Sequence, residues 1–240
     1  IGNYTTAIED FDTALNAEPA FHDAYLGRGV CHFETGNYGL SLSDLTNAIK
    51  NNKNSVYAFQ WRGTLHLYMG DAVTALEDIN LSIKLDSNNL SHYYWRGLIY
   101  LKSGDFKKGL ADFTRVIEND VPYSLSVSYA FLWRGMCHIF SGKQKYGQGD
   151  WEVAIDMSKK IINPVRNSLL QGLYHLMLKE FEQSKAMYTT VLTMRYVPHV
   201  LITQANHIQL ISELYEENSI DGLSKWLRGE IDARLGNTIT

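Results

Sequence analysis

Apolar residues recur along this chain at intervals of three and four, and no segment keeps the alternating apolar and polar pattern of a β-strand. The spacing predicts amphipathic helices, such as "YGLSLSDLTNAIK" and "FKKGLADFTRVIE". A Gly-Asn or Gly-Asp pair, typical of a turn, stands directly before each of these two segments. We therefore expect an all-α protein.

The predicted helices repeat with a fixed period. Glycines stand 34 residues apart in two series, Gly29, Gly63 and Gly97, and Gly2, Gly36, Gly70 and Gly104. Each period holds a helix containing Arg-Gly, a turn at the second glycine, and another helix. Small residues are needed where two helices cross closely. A helix-turn-helix period of this length indicates a repeat protein whose units stack on one another.

The unit resembles the tetratricopeptide repeat. The matching residues of the first complete unit are Tyr25, Gly29, Gly36, Tyr38, Leu45 and Ala48. The resemblance implies a right-handed superhelical solenoid of antiparallel helix pairs over residues 1–198, with a partial first unit, three regular units and two degenerate units. We take Trp151 as the turn aromatic of the fifth unit, which predicts an insertion near residues 142–149. Residues 199–240 are predicted to form C-terminal capping helices.

The arginine of each Arg-Gly has a matching acidic series. The two series are Arg28, Arg62, Arg96 and Arg134, and Asp10, Asp44, Asp78 and Asp112. An arginine at a partly buried helix seam is costly unless a carboxylate meets its guanidinium, so we predict a structural ladder of ion pairs. The spacing leaves open whether each arginine pairs within its own unit or with the preceding one. A row of arginines that holds an acidic ligand is the alternative, but the four aspartates would neutralise it.

No residues are arranged for catalysis or for metal binding. His32, His66, His138 and His175 each follow the first-helix glycine by three residues. Neighbouring repeats place such side chains about 10 Å apart, which is too far for ligands of one metal ion. The Cys31-His32 and Cys137-His138 pairs are three units apart, and the chain lacks the common nucleotide-binding, hydrolase and metalloprotease motifs. We predict a non-enzymatic protein without cofactor or metal.

Composition narrows the classes of partner and compartment. The net charge is -4 and no run of lysine or arginine is present, which disfavours nucleic acid. No apolar stretch approaches the roughly 20 residues of a membrane-spanning helix, so no membrane insertion is expected. Two isolated cysteines are typical of free thiols in a reducing compartment, and we expect a cytoplasmic protein. The start within a repeat, without methionine, indicates a piece of a longer chain.

The resemblance also implies a binding surface, because the first helices of such units line a concave face. The residues implied to face it are Leu26, Val30 and Phe33; Gln60, Thr64 and Leu67; Tyr94, Leu98 and Leu101; and Leu132, Met136 and Ile139. These side chains predict an apolar groove. Family members that clamp the C-terminal carboxylate of heat-shock chaperones carry Lys, Asn and Arg in these slots, so a partner of that type is not expected.

We predict a protein-protein interaction scaffold that binds a peptide or an amphipathic helix in the apolar groove. A groove this apolar should be covered, and the sequence leaves two occupants open: another protein, or a helix of the same protein. The alternative functions are an RNA-binding helical repeat protein, which would need a basic stripe that this chain lacks, and a regulatory domain of a larger enzyme.

Overall fold

The computed structural model describes residues 4–120, 124–160 and 163–192, and beyond them 207–209, 211–212, 223, 225–230 and 233. The helices are α1 (Tyr4–Ala17), α2 (His22–Glu34), α3 (Tyr38–Asn51), α4 (Val56–Tyr68), α5 (Ala72–Leu85), α6 (Leu90–Lys102), α7 (Phe106–Asn119), α8 (Leu125–Phe140), α9 (Gln144–Lys159), α10 (Pro164–Met177) and α11 (Phe181–Leu192). Residues 207–209, 211–212 and 225–230 are also helical, and the described residues contain no strand. The predicted all-α class is confirmed.

A glycine ends four of the first helices in the same way. Gly36 has a φ of 78°, its N–H donates to the Phe33 carbonyl over 3.0 Å, and the Asn37 N–H donates to the His32 carbonyl over 2.8 Å. These two bonds form a Schellman motif, which needs a left-handed residue. Gly70, Gly104 and Gly142 repeat the geometry, with φ between 76° and 86°. The period of the second glycine series is therefore the period of this turn.

The first glycine series marks the place where the two helices of a unit approach most closely. A Cβ atom on Gly63 would stand 2.8 Å from Cγ1 of Ile79, and one on Gly172 would stand 2.8 Å from the ring of Tyr188. Ile79 and Tyr188 are completely buried. Only glycine leaves room for a large core residue 16 positions later, which explains why the motif returns.

The insertion expected near residues 142–149 is wrong. Gly142 follows Gly135 by seven residues, takes a φ of 76°, and leads directly into the uninterrupted helix α9. Trp151 is consequently the core residue 16 positions after Gly135, and its indole N–H donates to the Leu132 carbonyl over 3.0 Å. The extra residues of this part of the chain lengthen helices, since α8 and α9 have 16 residues each where α2 has 13 and α3 has 14.

The sixth unit keeps the fold without the turn glycine. Lys179 occupies the left-handed position with a φ of 62°, and its N–H donates to the Leu176 carbonyl over 2.9 Å. Ser184 stands at the small-residue position, and its hydroxyl donates to the Gly172 carbonyl over 2.8 Å. Ser41 makes the equivalent 2.8 Å bond to Gly29 in the first complete unit. Degenerate sequence and regular geometry therefore coexist here.

The chain also divides into two compact parts that are each larger than one repeat. From here on, residues 1–99 are called the first unit and residues 100–240 the second unit. In the first unit α2 packs on α3 and α4 packs on α5, while α1 packs on α2 and α3 on α4. In the second unit α8 packs on α9 and α10 on α11, while α7 packs on α8 and α9 on α10. The boundary predicted at residue 198 lies outside the described residues.

The arginines bind carboxylates of their own helix-turn-helix repeat. Arg62 donates from Nε and Nη2 to the two carboxylate oxygens of Asp78, over 2.7 and 2.8 Å. Arg28 binds Asp44 in the same bidentate way, over 2.8 and 2.7 Å. In both pairs the aspartate is buried, so the guanidinium supplies the partner that a buried carboxylate requires. The first and second helices of a repeat are thus joined beside their closest approach.

The remaining guanidinium nitrogen of Arg28 and of Arg96 contacts the second helix of the preceding repeat. Arg28 Nη1 reaches Asp12 over 2.5 Å, and Arg96 Nη1 reaches Asn80 over 3.0 Å. The ring of an aromatic residue three positions earlier lies beside each guanidinium carbon, as Tyr93 does at 5.3 Å from Arg96. One arginine therefore links three helices.

Two details of the predicted ladder need correction. Asp10 is exposed, and Arg28 contacts Asp12 instead, two positions further on. Arg134 binds Asp150, over 2.9 and 2.7 Å, rather than Asp112. The prediction followed a strict 34-residue period, whereas the constant quantity is the 16-residue separation between an arginine and its aspartate. Because residues 142–149 were taken as an insertion, the prediction did not count Asp150 as the partner 16 residues after Arg134.

Two glycines of α9 test whether residues 144–159 are a packed helix. Gly147→Ala should cost about 1–3 kcal/mol of stability, because the new Cβ would stand 2.6 Å from the Gly135 carbonyl oxygen. Gly149→Ala should instead stabilise the protein by about 0.5–1 kcal/mol, because nothing lies within 4 Å and alanine favours helix. Denaturant melts measure both. Equal, small effects from the two variants would contradict a packed helix.

The buried ion pair gives a second test. Asp78→Ala should destabilise the protein by about 3 kcal/mol, because it leaves the Arg62 guanidinium without its carboxylate at the helix seam. Glu77→Ala, one residue earlier and exposed, is the matched control and should change the stability by less than about 0.5 kcal/mol. A loss for Asp78→Ala as small as that of the control would show that the pair adds nothing to the fold.

Candidate peptide-binding face

The structure buries most of the side chains that the sequence placed in an apolar groove. The buried ones are Phe33, Gln60, Thr64, Leu67, Leu98, Leu101, Leu132 and Met136, and the partly exposed ones are Leu26, Val30, Tyr94 and Ile139. Leu98 is 1% exposed and Met136 is 0% exposed. They belong to the packed interior, and a glutamate at either position would be expected to disrupt folding. A continuous open groove over all twelve residues was therefore the wrong expectation.

In the second unit, part of the C-terminal segment lies against α8. The ring of His207 is 5.7 Å from the ring of Tyr129 and 5.2 Å from that of Trp133. His207 is 3% exposed, and Ile208, Ile211 and Leu227 are completely buried. The chain itself therefore covers α8. This is one of the two occupants that the sequence left open.

In the first unit, one face of the first helices remains accessible. We call it the open face, and its accessible residues are Asp23, Leu26 and Val30 on α2, Tyr57 on α4, and Ser91 and Tyr94 on α6. It also includes the buried Gln60 on α4, which is hydrogen-bonded to Ser91. Tyr57 is 56% exposed, and the side chain of Asp23 is 64% exposed. The apolar side chains of Leu26 and Val30 are partly exposed beside them. The surface therefore combines aliphatic, aromatic and polar groups.

Aromatic rings pack between successive first helices of residues 1–99. The Phe33 ring on α2 is 5.3 Å from Trp61 on α4, and the Tyr68 ring on α4 is 6.2 Å from Trp95 on α6. The two tryptophans of the repeated Trp-Arg-Gly motif thus fill the spaces between successive first helices. Such dense packing gives the open face a rigid base.

One hydrogen bond joins α4 and α6 at the face itself. The Ser91 hydroxyl donates to Oε1 of Gln60 over 2.7 Å, and it also lies 2.8 Å from Oδ1 of Asn89. Gln60 is 7% exposed, so its amide oxygen needs such a partner. The position of Gln60 is therefore held by the protein before any ligand binds.

Two equivalent tyrosines show the difference between the units. Tyr57 lies six residues before Gly63, and Tyr129 lies six residues before Gly135. Tyr57 is 56% exposed, whereas Tyr129 is 8% exposed beneath His207. The same repeat position is therefore open in the first unit and covered in the second.

The sequence reasoning missed three residues of the open face. Asp23, Tyr57 and Ser91 stand one helical turn before Leu26, Gln60 and Tyr94, which the resemblance implied to face the groove. Residues three apart on a helix share a side, so the spacing contained the signal. The prediction had considered only the positions nearest the glycine.

The repeated histidines pair with nearby carboxylates instead of sharing a ligand. His32 Nε2 is 3.9 Å from Asp44, His138 Nε2 is 3.9 Å from Asp150, and His175 Nδ1 is 2.7 Å from Glu180. Within the described part of the chain, no group of three or more His, Cys, Asp or Glu side chains could hold a metal ion.

Burial raises the pKa of both cysteine thiols. It raises the pKa of Cys137 to about 12 and also raises the pKa of Cys31. Both cysteines are free and buried, which disfavours the reactive thiolate.

Two family models match this architecture. Both carry the description "Tetratricopeptide repeat", and they match residues 1–56 and 92–120. The matched segments contain helices α1, α2, α3 and α7 and most of α6. Residues 1–56 and 92–120 therefore match the tetratricopeptide repeat family.

Solved structures share the fold at low sequence identity. MamA is 19% identical, with a TM-score of 0.58 over 66% of this chain and 91% of MamA. YrrB, described as a TPR protein with an unusual peptide-binding site, is 20% identical, with a TM-score of 0.54 over 64% of this chain and 77% of YrrB. The Rap conjugation gene regulator of plasmid pLS20, in complex with the Phr* peptide, is 18% identical, with a TM-score of 0.70 over 96% of this chain and 70% of Rap.

Two further comparisons bear on the class of protein. No curated protein sequence matches the chain. Among the described residues, no helix is both long enough and apolar enough to span a membrane.

The buried imidazole of His207 predicts a pH dependence of the second unit. Burial lowers the pKa of His207 to about 4, from an ordinary 6.5, because the apolar surroundings disfavour the charged ring. The folded state therefore takes up this proton less readily than the unfolded state. Its contribution to stability is complete above pH 6.5 and is lost as the pH falls toward 4, by roughly 2–3 kcal/mol at pH 4.5.

His207→Phe is the matched variant for this pH dependence, because it keeps an aromatic ring against Tyr129 and Trp133. Urea melts at pH 7 and pH 4.5 should show that the variant loses less stability on acidification than the wild type. It should also be more stable at pH 7, because neither ring nitrogen of His207 has a hydrogen-bond partner among the described residues. Identical pH profiles would show that the imidazole is not buried.

Proposed function

We propose that this chain is a non-enzymatic protein-interaction scaffold that binds a peptide segment of a partner on the open face of its first unit. The observation that carries the proposal is the exposure of Tyr57, at a repeat position where the second unit buries Tyr129. A half-exposed apolar and aromatic surface on a rigid base is typical of a recognition site.

The composition of the open face also favours peptide binding. Leu26 and Val30 provide apolar contact area, and Tyr57 and Tyr94 combine apolar rings with hydroxyl groups. Tyrosine loses little conformational entropy on binding, so it supports affinity at low cost. The fold of the chain is shared with YrrB and with Rap, whose descriptions both mention a peptide. That likeness supports the class of function and leaves the residues to be tested.

The second unit has a different role in this proposal. The segment around His207 covers α8 in this unit. That surface is stabilised within the chain and does not bind the same ligand. Binding should consequently depend on residues of the first unit alone.

A double substitution tests the proposed face. Peptides that bind the whole chain would first be selected from a displayed library of random 12-residue sequences. Tyr57→Ser with Tyr94→Ser should weaken their binding at least tenfold, because it removes the exposed ring of Tyr57 and the partly exposed ring of Tyr94, while the circular-dichroism spectrum stays unchanged.

Leu40→Ser with Val73→Ser is the matched control, since these apolar side chains are 57% and 71% exposed on the second helices α3 and α5. Isothermal calorimetry with the selected peptides should give wild-type affinity for this control. Equal losses in both double variants, or no loss in either, would contradict binding at the open face.

A further inference from the structure

The charge of the chain is divided unevenly between its two units. Residues 1–99 contain eleven acidic and six basic residues, a net charge of -5, whereas residues 100–240 have a net charge of +1. The overall charge of -4 conceals this difference. An acidic domain attracts cationic ligands and repels anionic ones over about one Debye length, 10 Å at 0.1 M salt.

The basic residues of the first unit are not part of the open face. The guanidinium groups of Arg28 and Arg62 are bound to Asp44 and Asp78 at the helix seams. Arg96 contacts Asn80 on α5. The three lysines are Lys50 on α3, Lys53 in the loop before α4, and Lys84 on α5. None of the seven residues of the open face is Lys or Arg.

Carboxylates stand at two positions of the same side of α2. Asp23 precedes Leu26 by three residues, and Glu34 follows Val30 by four, so all four share one stripe of the helix. Burial raises the pKa of Glu34 to about 7, which leaves it only partly charged at neutral pH. Asp23 has an exposed side chain whose near contact is His22 Nε2 at 3.1 Å. Asp23 is therefore the main negative charge that a ligand meets.

An exposed aromatic ring occupies the matching position on the next first helix. Tyr57 follows Asp23 by one period of 34 residues, and α2 contacts α4. A tyrosine ring attracts a cation to its face, and a carboxylate nearby supplies the opposite charge. Arginine satisfies both groups, because its planar guanidinium stacks on rings and binds carboxylates.

We infer that the open face recognises a basic peptide, in which an arginine or lysine lies beside apolar side chains. The cation binds at Asp23 and Tyr57, and the apolar side chains contact Leu26, Val30 and Tyr94. This inference rests on the proposed function, since it assigns a ligand class to the same face. It excludes acidic peptides, which would meet the negative charge of the first unit.

The selected peptides provide the first test. Relative to the input library, the binders should be enriched in Arg and Lys and depleted in Asp and Glu. Replacing each Arg and Lys of a binder by Gln should weaken binding at least tenfold, and raising the salt from 0.05 to 0.5 M should weaken the original binder severalfold. Binders without basic residues would overturn the inference.

Charge reversal on the protein provides the second test. Asp23→Lys should weaken binding of the basic peptides at least tenfold at 0.05 M salt. Its thermal melt should fall only slightly, because the change reverses one charge in the first turn of α2. Glu77→Lys changes the net charge equally on the exposed side of α5 and should have less than a twofold effect. Equal losses in the two variants would show diffuse attraction by the whole unit and would contradict a site at Asp23.

The two proposals fail separately. If Tyr57→Ser with Tyr94→Ser abolishes binding while Asp23→Lys and the Gln-substituted peptides bind normally, the open face is the site and its ligand class is wrong. If neither the tyrosine pair nor Asp23 affects any binder, the proposed function itself fails.

Discussion

The close approach of two helices at a glycine is the contact on which every repeat depends. Where Gly63 meets Ile79 or Gly172 meets Tyr188, a methyl group would stand within 3 Å of the core side chain. Dense packing allows no such overlap, so the helices can close only over glycine. The short distance between the helices then brings the neighbouring arginine within reach of an aspartate 16 residues later. Steric fit and charge pairing are consequences of one crossing.

The arginine network extends that crossing from one helix pair to the next. Arg28 binds Asp44 within its repeat and Asp12 on the preceding helix, so this guanidinium contacts three helices. Stability in repeat proteins comes largely from such contacts between neighbours. The guanidinium groups are bound at the seams between helices. The open face of the first unit therefore contains no arginine. A structural interaction thereby determines the charge that a ligand meets.

The chain itself covers part of α8 in residues 100–240, whereas the open face of residues 1–99 remains accessible. His207 and the buried residues near it close the apolar surface around Trp133, at the cost of two imidazole nitrogens without partners among the described residues. The first unit instead exposes Tyr57 next to partly buried aliphatic groups.

The sequence by itself determined the all-α class, the 34-residue period, the turn and crossing glycines, and the family resemblance, because each depends on local geometry that repeats along the chain. The resemblance also implied that Leu26, Val30, Gln60 and Tyr94 belong to a binding face, and that assignment stays a prediction. Only the tertiary structure decided that Met136 is buried and Tyr57 exposed, because burial depends on which distant segment packs against a helix. It also replaced the expected insertion with α9, since the turn requires a left-handed residue at Gly142 and not an aromatic after it.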